Sequence, residues 1–231
     1  MNFLAHLHVG RHLDPDESAG NLLADYCKDV GNGRFRRGVW FHRRIDSFTD
    51  RNEVAGEARA LFNASYRHFG GVLSDLAFDW CLARTWDEWS PNVDLLGFIE
   101  NSLKGIQKSA VDLPDHAAFA LERMIEERWL ESYRDIDGMR QTLVRISRRR
   151  PIVKMVLGAE RLMQAHESEL TRIFRRFYPQ LLKLGQTDEA RADELVENDA
   201  SRDQGEGPKD DHAFKRATHP QERHHDGHED L

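Results

Sequence analysis

Apolar residues recur at intervals of three and four along most of the chain, as in Phe98, Leu103 and Ile106 or Leu162, Leu170, Phe174 and Phe177. That spacing lines one face of a helix. It predicts helices over residues 2–9, 17–29, 35–51, 54–68, 72–86, 95–109, 116–132, 136–149, 152–164 and 167–183. No segment alternates convincingly enough to predict a strand, and no internal repeat stands out. Turn residues fall between these segments: Asp14-Pro15-Asp16, Gly31-Asn32-Gly33, Gly70-Gly71, Ser90-Pro91-Asn92, Leu113-Pro114-Asp115, Pro151 and Pro179. Ser18, Ser74 and Asp115 are the expected N-caps. The expected fold is all-α, a single multi-helix bundle over residues 1–184 with a tail over 185–231.

The exceptions to the apolar pattern carry the chemistry. Asn2 and His6, Asn21 and Asp25, His42, Asp46 and Asp50, and Asp75 and Asp79 are spaced four apart within apolar segments. On a helix such pairs share a face. Around His42, a solvated stripe paired with Arg43, Arg44 and Arg51 is an equally simple reading. Around Asp75 and Asp79 that reading is weaker, because Leu73, Leu76, Ala77, Phe78, Trp80 and Leu82 make the segment apolar on most faces. Asn21 is expected to orient Asp25 or cap a neighbouring helix. A lone His6 in an apolar segment is more often a core residue than a ligand, and His8 points elsewhere on its helix. Taken together, separate helices in the first 80 residues each offer metal-capable groups. Bundle metal sites are assembled that way, and buried carboxylates need such a partner.

Composition changes this picture mainly at the C-terminal end. Of the 231 residues 39% are hydrophobic and 32% charged, and the net charge is −7. From Gln186 onward 14 acidic residues face 6 basic ones, a net of −8, which leaves the rest at +1. That end has one aromatic residue, Phe214, and few aliphatic ones, so it is expected to be disordered. It holds His212, His219, His224, His225 and His228, a supply of weak metal ligands read first as a solvated tail. Arginines cluster at Arg34, Arg36, Arg37, Arg43 and Arg44, at Arg148, Arg149 and Arg150, and at Arg172, Arg175 and Arg176. They are ordinary solvated residues or a positive rim for an acidic or phosphorylated partner. A near-neutral body argues against nucleic acid. Cys27 and Cys81 form no CxxC motif, consistent with a reducing cytoplasm. No apolar run approaches a membrane span, and the N-terminus is not expected to be a signal peptide.

Mixed histidine and carboxylate ligation suits Mn, Mg, Fe or Zn. The residues alone therefore point to metal-assisted hydrolysis of a phosphoryl or acyl bond. No GxGxxG, P-loop, GxSxG or HExxH motif is present, and a His-Asp dipeptide occurs only at His225-Asp226 in the tail.

The segments MNFLAHLH, SAGNLLADY, HRRIDSFTD, DLAFDWCLARTW, WLESYRDIDG, SRRRP and FYPQLL, in this order, resemble the acyl carrier protein phosphodiesterase family from Met1 to about Leu182. The resemblance implies an all-helical fold distantly related to the HD phosphohydrolases. It implies hydrolysis of the phosphodiester joining 4'-phosphopantetheine to a serine of holo acyl carrier protein, a small acidic protein, with Mn²⁺ or Mg²⁺ as cofactor. Asp25 matches the family's GNLLAD aspartate, His42 and Asp46 its HRxID pair, Asp75 and Asp79 its DxxxD pair, and His6 its NFLAH histidine. On this reading Asp25, His42, Asp46 and Asp79 are metal ligands, with Asp25 central to catalysis. Asp75 is a ligand or positions the water, and His6 is a ligand or the general acid. Arg43 or Arg44 holds phosphate oxygens, and Asn21 is a substrate-binding residue. Trp80 stands where the family pair is often followed by histidine. Two other readings are a related phosphohydrolase acting on nucleotides or another small phosphodiester, and a non-enzymatic helical module that docks an acidic partner.

Overall fold

The computed structural model describes residues 2–26, 33–109, 113–149 and 151–189. Cys27 and residues 190–231 of the tail expected to be disordered lie outside the described residues, whereas the first residues of that tail, 185–189, are helical. The described chain is helical, with no strand among the described residues. The helices are α1 (Phe3–Val9), α2 (Pro15–Leu23), α3 (Arg36–Arg51), α4 (Glu53–Tyr66), α5 (Gly70–Arg84) and α6 (Trp86–Trp89). They continue with α7 (Leu95–Ser109), α8 (Asp115–Glu126), α9 (Ile136–Arg149), α10 (Ala159–Ala165) and α11 (Glu167–Glu189).

Local chemistry explains most boundaries, with corrections to the expected caps. Asp14 rather than Ser18 caps α2: its carboxylate accepts from the Glu17 amide while Glu17 reaches back, with Pro15 at the first helical position. Asn52 caps α4 through the amides of Val54 and Ala55. Ser74 lies inside α5 and donates to the Gly71 carbonyl, and Asp115 is the first residue of α8 rather than its cap. Pro179 does not end α11, which runs on to Glu189. The segment expected as one helix over 152–164 is instead a 3₁₀ turn, Pro151–Val156, followed by α10 after left-handed Gly158.

Helix α5 is buried on nearly every face and packs against α1, α4 and α11. Phe78 stacks on Phe177, and Phe174 stacks on Tyr178, all fully buried. Each such ring stabilises the fold by roughly 1.5–3 kcal/mol. Helix α2 lies across α3 and α7. Two glycines let α2 and α3 approach: a Cβ on Gly38 would meet the Glu17 carbonyl oxygen at 1.8 Å, and one on Gly20 the Phe35 oxygen at 2.2 Å. This close crossing sets the distance between Asn21 and His42.

Candidate metal centre

Three side chains from α1 and α3 converge. His6, His42 and Asp46 each offer a ligand atom, and these atoms lie within 4.8 Å of one another. The two imidazoles stack with centroids 4.0 Å apart. His6 Nε2 is 3.2 Å from Asp46 Oδ1, and His42 Nε2 is 3.2 Å from Asp46 Oδ2.

Asn21, at the α2 crossing, orients both rings. Its Nδ2 donates to the His6 backbone carbonyl at 2.7 Å, which fixes the amide so that Oδ1 faces His6 Nδ1 at 3.2 Å. Its own backbone carbonyl lies 2.8 Å from His42 Nδ1. Carbonyl oxygens only accept, so each Nδ1 carries the hydrogen. A ring in its neutral form has no second hydrogen, so its Nε2 presents a lone pair. Burial, with His42 alongside, lowers the His6 pKa to about 4, so His6 is neutral at physiological pH. Its Nε2 and Asp46 Oδ1 then meet lone pair to lone pair. His42 Nε2 is likewise buried and has no hydrogen-bonded partner. Burial pushes the Asp46 carboxyl up, and positive charge facing it, on His42 when that ring is protonated, outweighs burial and holds the group well below the usual carboxylate range. Two imidazole nitrogens and an ionised carboxylate facing one point fit a divalent cation.

The other candidates take different places. Asp25 is exposed, with Oδ1 3.9 Å from His42 Nε2. Helix α2 ends at Leu23 and Asp25 sits in a 3₁₀ turn, Ala24–Tyr26, so Asn21 and Asp25 do not share a helix face. Asp75 is partly exposed on α5, and burial, with the charges of Asp46 and Asp50, pushes its carboxyl up. Asp79 is fully buried and accepts from the amides of Leu4 at 2.8 Å and Ala5 at 3.1 Å, so it clamps the start of α1. Burial raises its pKa to about 7 against the pull of those amides. Asn21 itself is buried, with both ends of its amide engaged. Arg43 and Asp50 are exposed on α3. Arg44 stands over Trp40 at 5.9 Å, about 160° round the helix from Asp46 at 100° per residue. Trp80 is core, beneath the Arg84 guanidinium.

Several contacts were not anticipated from the sequence. Asn2 donates to the Tyr133 hydroxyl at 3.0 Å, tying α1 to the WLESYRDIDG segment. His8 meets the Tyr178 hydroxyl at 2.6 Å and Ser90 Oγ at 2.8 Å. Many of the clustered arginines are already paired: Arg34 with Asp16, Arg37 with Glu17, Arg175 with Glu88 and Arg176 with Glu57. The basic surface is therefore narrower than a residue count implies.

Fold and site together define an all-helical protein with a histidine–carboxylate cluster suited to a divalent cation. The chain belongs to the acyl carrier protein phosphodiesterase family, whose profile matches residues 1–181. Relatives named acyl carrier protein phosphodiesterase include one from Yersinia pestis, 32% identical over 190 residues, covering 80% of this chain and 98% of the relative. Another, from Salmonella paratyphi A, is 33% identical over 186 residues, covering 79% and 96%. One from Pectobacterium atrosepticum is 30% identical over 191 residues, covering 81% and 98%. No solved structure matches the chain. No helix among the described residues is long and apolar enough to cross a membrane.

Proposed function

We propose that this chain hydrolyses the phosphodiester between 4'-phosphopantetheine and a serine of holo acyl carrier protein, releasing the apo protein. The observation that carries the reading is the meeting of His6 Nε2, His42 Nε2 and Asp46 at one point, in a chain of this family. A bound cation would neutralise charge building on the phosphoryl oxygens and make water nucleophilic at neutral pH.

His6, His42 and Asp46 hold that cation, with exposed Asp25 completing the set from the solvent side. Two imidazoles favour Mn²⁺ over Mg²⁺, which prefers oxygen ligands. Arg43, exposed about 60° round α3 from Asp46, holds a phosphate oxygen. His6, its single ring hydrogen engaged by Asn21, is a ligand rather than the general acid. Asp75, kept towards its protonated form by burial, supplies the proton to the departing serine oxygen. Asp79 supports the site by holding α1.

The test is incubation with holo acyl carrier protein and Mn²⁺, followed by mass spectrometry of the carrier. Loss of the phosphopantetheine arm is expected, and it should vanish with chelator and in His42→Ala. An unchanged carrier mass, or turnover of nucleotides alone, would overturn the assignment.

A further inference from the structure

Helix α1 ends on a glycine that its backbone does not require. Gly10 has φ −86° and ψ 19°, a conformation open to alanine, and it is buried. Its amide donates to the His6 carbonyl at 3.0 Å, so that oxygen accepts from both Gly10 and Asn21 Nδ2. What excludes a side chain at position 10 is space. A Cβ there would meet Asn21 Nδ2 at 2.5 Å, closer than the His6 oxygen or Leu13 Cδ1, each at 3.0 Å. The Asn21 amide occupies the volume that a side chain on Gly10 would take.

That amide decides where His6 keeps its hydrogen. A neutral imidazole carries one hydrogen on either nitrogen. With the hydrogen on Nδ1, it is engaged by Asn21 Oδ1 at 3.2 Å, and Nε2 is left for a cation. With the hydrogen on Nε2, the ring donates to Asp46 Oδ1, also 3.2 Å away. The cluster then satisfies itself, and the same two atoms are closed to a cation.

We propose that Gly10 is a positioning residue of the cation site: by leaving room for the Asn21 amide, it holds His6 in the tautomer that can ligate. It acts only through Asn21. The inference rests on reading His6, His42 and Asp46 as a cation site, but the ring arrangement it describes is present without metal.

The test is Gly10→Ala, alone and combined with Asn21→Ala, in the full chain. NMR of ¹⁵N-labelled histidine in chelator-treated protein shows which His6 nitrogen carries the hydrogen, at about pH 8, above the ordinary histidine range. The hydrogen should sit on Nδ1 in the wild type and move to Nε2 in Gly10→Ala. In calorimetric titration, Gly10→Ala should bind Mn²⁺ ~10–100-fold more weakly, the loss typical of an outer partner. Added to Asn21→Ala, it should cause no further loss, because both substitutions act on one contact. If Gly10→Ala alone does not fold, recovery of folding in the double variant supports the proposal, since it locates the clash at the amide. An unchanged His6 ring, an equal loss of affinity in both backgrounds, or a double variant that stays unfolded would each sink it. A wild type that binds no Mn²⁺ while the ring behaves as expected would overturn the cation reading, and not the control of the tautomer by Gly10.

Discussion

Asn21 does at residue scale what no ligand can do for itself. One amide and one peptide carbonyl engage the Nδ1 atoms of two imidazoles, so both Nε2 atoms are turned to the cluster. The two arms are separable by substitution. In Asn21→Ala the backbone carbonyl still faces His42, while His6 loses its orienting acceptor and the tie to its own carbonyl. Loss of such an outer partner typically weakens metal binding ~10–100-fold. Calorimetric titration with Mn²⁺ should show a loss in that range with the helical circular dichroism retained. Unchanged affinity would mean that the ring is held by packing alone. The spacing of Asn21 and Asp25 suggested a shared helix face. The end of α2 at Leu23 instead sends them apart, and which polar atoms meet across α2 and α3 was not legible without the crossing that Gly20 and Gly38 permit.

At the scale of elements, α1 is the vulnerable one. Seven residues are too few to hold a helix in water. Helix α1 is kept by burial and by Asp79, whose carboxylate stands in for the missing cap at its N-terminus. Asp79→Ala leaves two buried amides without acceptors, at a cost of about 3 kcal/mol, readable in urea unfolding. Mn²⁺ affinity should fall with it, since His6 rides on α1. A variant with normal stability but weakened metal binding would instead mark Asp79 as a ligand.

The helices themselves were largely legible, because the three-and-four periodicity is a direct image of burial. Helix α7 over Leu95–Ser109 matches its expected bounds. Short α6 was missed, because the helix expected over 72–86 stops at its first residue, and Ser18 and Ser74 were credited with caps they do not form. A cap depends on the backbone angle at one residue, which composition does not reveal. The two aspartates of α5 show the same limit. Their spacing put both on the core side, but only the packing shows Asp79 turned to the amides of α1 and Asp75 left partly exposed.

For the whole molecule, buried titratable groups give stability a pH dependence with two opposing parts. His8 is buried between Tyr178 and Ser90, and burial, with Arg11 nearby, lowers its pKa to about 3 from 6.5. Between those values the unfolded chain holds a proton that the native state does not, so stability drops as the solution is acidified. One such proton is worth about 1.4 kcal/mol per pH unit. Asp79 acts the other way, its pKa raised from 3.8 to about 7. The native state keeps a proton there that the unfolded chain releases, so this contribution drops as pH rises through the same window. Urea unfolding of the chelator-treated protein at pH 6 and pH 5 separates the two. His8→Gln should remove about 1.4 kcal/mol per pH unit of acid sensitivity. Asp79→Asn should increase acid sensitivity by a similar amount, because the stabilisation that grew on acidification is gone. If His8→Gln is equally destabilised at both pH values, His8 already carries its second proton in the native state. Its contacts with Tyr178 and Ser90 would then be those of an imidazolium donating from both nitrogens.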